Sequence, residues 1–167
     1  SSDLIAIGLS LAAMLIYIWI RFEWQFSLGA IIAIFHDVII TLGIFSLFSF
    51  EINLSIVAIV ITIVAYSTND TASLFDRVRE NLKKYSSKSI NEISNLSINE
   101  TLSRTIITSS TTLLALLSIF FFGGKILHGF SFAMILGVVF GTYSSIFIAN
   151  PILIKLKVDQ KSVLKGE

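Results

Sequence analysis

Ile56-Val-Ala-Ile-Val-Ile-Thr-Ile-Val-Ala-Tyr-Ser-Thr-Asn-Asp-Thr-Ala-Ser-Leu-Phe-Asp-Arg-Val-Arg-Glu-Asn81 is the stretch that decides the fold. It is apolar through Ala65, broken only by Thr62. It then places Tyr66, Ser67, Asn69 and Asp70 where a plain membrane anchor would continue with Leu or Val. A hydrocarbon core of about 30 Å takes roughly 20 apolar residues as a helix, so a span that starts near Leu54 has to include Asp70. An ionisable group at that depth is costly unless it faces a bundle interior or a wet cavity. Asp70 therefore makes this stretch the wall of an assembly of helices, not an isolated anchor.

The rest of the chain agrees. Its 167 residues are 54% hydrophobic and 14% charged, with a mean hydropathy of +0.86, against about 25% charged residues in soluble proteins. The formal net charge of +1 implies neither an acidic nor a basic partner, and no nucleic acid. There is no cysteine, and the two histidines, His36 and His128, lie far apart, so no metal site and no bound cofactor is expected. The start at Ser1, without Met or a basic run, does not read as a signal peptide; the expectation is a piece of a longer chain.

Five segments are long and apolar enough to span: about 4–20, 26–50, 54–75, 102–122 and 130–156. Backbone groups in lipid must be satisfied within the segment, so all five read as helices. The expected fold class is an all-α membrane protein, one transmembrane domain over 1–167 built as a bundle of five transmembrane helices. Alternating the connections puts eleven of the twelve Lys and Arg residues on one side and only Lys125 on the other. The positive-inside rule makes the crowded side cytoplasmic, with the N-terminus outside and the C-terminus cytoplasmic. That leaves a cytoplasmic loop, 76–101, and a cytoplasmic tail, 157–167, which reads as polar and mobile. Within the loop, Ile90, Ile93, Leu96 and Ile98 suggest a weak amphipathic helix lying at the interface, with a plain Ser/Asn-rich loop as the alternative.

At about 100° per residue, Thr62, Tyr66, Ser67, Asp70, Ser73 and Arg77 share a face of the third span. Arg104, Thr108, Thr111 and Ser118 share one on the fourth, and Ala30, Ala33, Asp37 and Thr41 one on the second. Asp70 lies roughly 8 Å from the inner edge of its span at about 1.5 Å per residue, and Arg104 lies in the first turn of the fourth span on the same side. A carboxylate that moves between a guanidinium and an unpaired, desolvated setting takes up and releases a proton. Arg104 reads as that guanidinium, or as an anchor snorkelling to the boundary. Asp37 reads as a tie between helices or as a direct participant. On the fifth span Gly137 and Gly141 have the spacing of close helix packing. Asn150-Pro151 is expected to kink or end that helix.

Ordered motifs then point to a family. His36-Asp37-Val38, Asn69-Asp70-Thr71 with Phe75-Asp76-Arg77-Val78-Arg79-Glu80-Asn81, Thr101-Leu102-Ser103-Arg104-Thr105, Phe121-Phe122-Gly123-Gly124 and Gly141-Thr142-Tyr143-Ser144-Ser145-Ile146-Phe147 resemble the SecF family, the smaller half of the SecD–SecF protein-export machine in the RND superfamily. The resemblance implies spans two to six of an RND-type half, in the bacterial cytoplasmic (inner) membrane. It implies SecD and the SecYEG translocon as partners, an unfolded exported polypeptide as cargo, and protons as the coupling ion. The implied role is that of a proton-coupled protein translocase subunit and not an enzyme. Asp70 and Arg104 would form the proton relay, with Asp37, Tyr66, Ser73, Thr108 and Thr111 as a supporting polar path. Where the family reads Thr-Val-Val-Val-Phe this chain has Thr71-Ala72-Ser73-Leu74-Phe75, which adds a hydroxyl to the Asp70 face.

Other readings exist. An intramembrane aspartyl protease would use Asp37 and Asp70 as a dyad sharing one proton, but neither sits in a Gly-x-Gly-Asp context. A small-molecule RND exporter half would obey the same physics. A purely structural partner of SecD would need neither Asp70 nor Arg104.

Overall fold

A computed structural model describes residues 2–48 and 54–165. The end of the expected second span and the connection Glu51–Asn53 fall outside the described residues. What is described is helical, and five helices are long and apolar enough to cross a membrane. They are α1 (Ser2–Arg21), α2 (Trp24–Leu47), α3 (Leu54–Lys84), α4 (Ile90–Phe122) and α5 (Gly124–Ser144), the last continuing through a π-helical turn, Ser145–Ala149, into α6 (Asn150–Lys155). A short α7 (Gln160–Leu164) follows. The expected all-α bundle of five spanning helices is the fold.

The deciding stretch lies at its centre: α3 packs against α1, α2, α4 and α5. Ile56, Ile59, Val60, Ile63 and Val64 are all buried, and so are Phe75 and Val78 further along. In contrast, α1 and α4 turn Leu4, Leu9, Ile16, Trp19, Ile106, Leu114 and Phe121 outward. Burying apolar surface gains little in lipid, so close packing and hydrogen bonds hold such a bundle together. Small residues sit where helices touch. A Cβ on Gly29 would lie 3.0 Å from the Ala149 carbonyl oxygen, and one on Gly137 would collide with Ile63. Aromatic packing closes the charged end, where Phe75 meets Phe26 and Phe22 edge-on at 5.3 and 6.0 Å.

Three local expectations are refined or corrected. The first concerns 76–101. Ile90, Ile93, Leu96 and Ile98 are helical as expected, but as the first turns of α4 and not as a separate interfacial helix, while α3 runs on to Lys84. Ser89 caps α4 in a capping box with Glu92, which satisfies free N–H groups of the first turn. Ile93, Ser94 and Ser97 are buried. Asn81 Nδ2 donates to Ser97 Oγ at 3.0 Å and to Glu100 Oε2 at 2.7 Å. Of the Ser and Asn residues that read as loop, Asn81, Ser94 and Ser97 are cross-helix partners.

Second, of the two outcomes expected at Asn150-Pro151, a kink or an end, the helix does not end there. Pro151 has no N–H, and its ring presses on the carbonyl four residues back. The preceding π turn accommodates this, and the helix resumes to Lys155.

Third, the start of the tail is folded. Lys157 takes a left-handed conformation, φ 52°. Its N–H reaches the Ile154 carbonyl at 3.1 Å, and the Val158 N–H reaches Leu153 at 3.3 Å, the two bonds of a Schellman cap. The chain reverses, Val158 and Val163 bury themselves, and Gln160 Nε2 bonds the Lys83 carbonyl at 3.2 Å. Asp159 caps α7: the Ser162 backbone N–H and hydroxyl hold its carboxyl below the ordinary value. The same end carries the ion pairs Arg21–Asp76 at 2.8 Å and Arg79–Glu23 at 2.9 Å, which tie the α1–α2 turn to α3.

Candidate functional site

Two polar centres lie inside the bundle, and they differ in how completely they are bonded. The first is built on Asp37 of α2, which is fully buried. Its Oδ2 accepts from Ser67 of α3 at 2.5 Å and from Ser144 of α5 at 2.9 Å. Its Oδ1 lies 3.1 Å from Nδ1 of His36, whose ring stacks on Tyr143. One turn along, Thr71 of α3 bonds Ser145 at 2.9 Å. Three helices thus converge on one carboxylate. They come this close because Gly141 faces Ser67, where an added Cβ would lie 3.3 Å from the serine Cβ.

The second centre faces α4. Tyr66 OH and Ser109 Oγ are 3.3 Å apart, and Ser109 meets Thr142 of α5 at 2.8 Å. Further out, Arg77 donates to Glu100 at 2.7 Å. These ties fix the register of α3 against α4, and Asp70 and Arg104 fall between them. Asp70 is half-buried, and its Oδ2 is closed to solvent without a hydrogen-bond partner. Arg104 is exposed and acts on Asp70 through space. The two form no ion pair among the described residues. Asp37 is therefore bonded on both oxygens, whereas Asp70 has an oxygen free to exchange partners.

The remaining expected residues divide. Ser73 and Thr111 spend their hydroxyls on their own helices, on the carbonyls of Asn69 and of Ile107 and Thr108. Thr108 is half-buried and Thr111 exposed. Gly137 and Gly141 lie in the α3–α5 contact. Sequence reasoning missed Ser109, Thr142 and Ser144 as partners of the polar centres. The stripe Gly137, Gly141, Ser144, at spacings of four and three, was the available signal, since its last member carries a hydroxyl. Among the described residues no three His, Asp or Glu side chains are grouped to hold a metal ion.

Residues 1–159 match the model of the family described as "Protein export membrane protein SecD/SecF, C-terminal". The chain belongs to the SecD/SecF protein-export family. Among the relatives of this SecD/SecF segment, the "Protein translocase subunit SecF" of Rhodothermus marinus is 57% identical over 154 residues, covering 89% of this chain and 50% of the relative. The one of Cereibacter sphaeroides is 50% identical over 159 residues, covering 95% and 49%. A solved structure titled "Crystal structure of SecDF in Super-membrane-facing form" superposes with a TM-score of 0.83 at 40% identity, covering 93% of this chain and 21% of that one. The chain spans about half the length of the curated relatives it matches. With this membership and its five spanning helices, it is a multi-pass membrane protein and the SecF C-terminal transmembrane part.

Proposed function

We propose that this chain is the membrane part of a SecF-type subunit that uses the proton-motive force to promote protein translocation, with Asp70 as the proton carrier and Arg104 as its counter-charge. One observation carries the reading: Asp70 holds a buried, unpartnered carboxylate oxygen beside an arginine that is not bonded to it, while Asp37 is bonded on both oxygens. A proton arriving at Asp70 cancels its attraction for Arg104, and a proton leaving restores it. Moving one charge through the field is worth about 2.3 kcal/mol per 100 mV. An interhelical hydrogen bond in a membrane averages about 0.6 kcal/mol. One proton is therefore enough to shift a few helix contacts between two packings, and too little to unmake the bundle.

The polar path belongs to the same proposal, with Tyr66, Ser109 and Thr142 as its hydrogen-bonded part and Asp37 as the tie behind it. SecD, the SecYEG translocon and an unfolded exported polypeptide are the proposed partners, in the bacterial cytoplasmic membrane, with the N-terminus outside. The protease reading lacks support: none of the Asp37 hydrogen bonds goes to Asp70.

The test is Asp70→Asn in the full-length protein, in cells lacking the native subunit. Export driven by the proton-motive force is expected to be lost while membrane insertion and folding stay intact. Full restoration of export by Asp70→Asn would remove Asp70 from the relay.

A further inference from the structure

The cations at the charged end fall into two sets. Arg21, Arg77 and Arg79 are bonded to Asp76, Glu80 and Glu100, and Glu23. Lys84, Lys88, Lys157 and Lys161 form no ion pair among the described residues. The folded tail brings these lysines together. The Schellman reversal at Lys157 sets residues 157–161 against the 85–90 turn, and the two segments enclose a cleft of about 340 Å³. Leu82, Tyr85, Ile90 and Val158 are its apolar lining, Lys88, Lys157 and Lys161 its cations, and Asp159, whose carboxylate Oδ1 is taken up by Ser162, its one acid. Lys84 and Lys88 also flank the Tyr85 ring, at 5.2 and 5.1 Å.

We infer that this cleft is a docking site for an acidic linear peptide segment that carries one large apolar side chain between carboxylates. Charge complementarity selects the acid. The apolar lining selects the anchor, since a few desolvated side chains in pockets carry most of the affinity of such contacts. Position selects protein over lipid. Leu82, which lines the cleft, lies six residues beyond Asp76, roughly 9 Å along the axis at about 1.5 Å per residue, and Tyr85 and Lys88 follow it. The headgroup layer beyond the hydrocarbon is only about 5–8 Å deep per leaflet. Lys157 closes the Schellman cap with a left-handed φ of 52°, a conformation glycine adopts without strain. Here a lysine takes it and brings an ammonium to the cleft.

The site is separate from the Asp70 centre and does not depend on its role. The test uses the full-length protein in nanodiscs of zwitterionic lipid. The probe is a fluorescein-labelled pentapeptide with leucine between two pairs of glutamates, followed by anisotropy. It should bind about tenfold more tightly than the same peptide with a central alanine. Lys88→Glu combined with Lys157→Glu should weaken it by at least about tenfold, while Lys165→Glu, outside the cleft lining, should leave it within about twofold. Lys157→Gly keeps the turn and removes the charge, so it should weaken the probe while the thermal midpoint holds or rises. Equal binding of the two peptides, an unchanged affinity in the charge-reversed protein, or an equal loss with Lys165→Glu would each overturn the site. Association with phosphatidylglycerol vesicles in place of the leucine peptide would overturn it in favour of a lipid surface.

Discussion

Asp37 and Asp70 are the same side chain in neighbouring helices of one bundle, and they are built for opposite behaviour. Asp37 is the acceptor that Ser67 and Ser144 share, so removing it orphans the buried Ser67 hydroxyl and leaves Ser144 only the Gly141 carbonyl. Asp70 has a buried oxygen with nothing bonded to it, so removing it breaks no hydrogen bond. Asp37→Ala is therefore expected to destabilise the bundle by about 1–2 kcal/mol, using the range for interhelical hydrogen bonds in membranes. Asp70→Ala is expected to be neutral or slightly stabilising, because it relieves a desolvated group. Unfolding of the two variants in the same mixed-detergent titration measures the difference, and an equal loss for both would make Asp70 a structural tie. The sequence marks both residues as ionisable groups in apolar spans, but it cannot tell the bonded one from the free one. The partners that decide it lie 30 and 107 residues away from Asp37, and only the packed helices bring them together.

Between elements, the contact of α3 with α5 is the one most sensitive to volume. A methyl group on Gly137 would overlap three side-chain carbons of Ile63, and Ile63 is β-branched and so has little rotamer freedom to yield. Gly137→Ala is expected to cost about 1–3 kcal/mol by overpacking. Ile63→Ala should recover most of that loss in the double variant, a coupling that a double-mutant cycle reads directly. Gly141→Ala meets Ser67, with the nearest atom, its Cβ, at 3.3 Å, and should cost less. Outside the lipid, Ser89→Ala removes the α4 cap and should cost about 1 kcal/mol, seen as faster amide exchange at Ile93 than in α4's membrane portion. Hydropathy made the spanning helices legible, because lipid leaves the backbone few options. In 76–101 the helical pattern of Ile90, Ile93, Leu96 and Ile98 was legible, but the pairing of the two arms was not, because it comes from Asn81, Ser97, Arg77 and Glu100 bonding across helices. Polar residues of that kind look the same in a loop. The π turn escaped for a related reason: Pro151 announces a broken hydrogen bond without saying whether the helix stops or widens.

At the scale of the molecule, charge is sorted by end. Arg21–Asp76 and Glu23–Arg79 bind the α1–α2 turn to the outer part of α3, and the folded tail packs against Lys83 of the same helix. Three separate segments rich in basic residues therefore share one end of the bundle, and Lys125, in the first turn of α5, lies at the other. Holding that many cations on the translocated side opposes the bias that orients membrane proteins, so the crowded end should face the cytoplasm. These 167 residues hold no cysteine, so a full-length protein with any cysteine elsewhere replaced allows a direct reading of this. In intact cells, Lys125→Cys in the full-length protein is expected to react with a membrane-impermeant maleimide. Ser86→Cys, at the tip of the hairpin, should react only after the membrane is opened. The reverse pattern would invert the bundle and place Asp70 near the outer face. The proposed relay would then have to take up its proton next to Asp70 and release it across nearly the whole membrane. With the expected pattern, the entering proton crosses most of the field before it reaches Asp70, so most of the energy per charge is available to the step that changes the hold on Arg104.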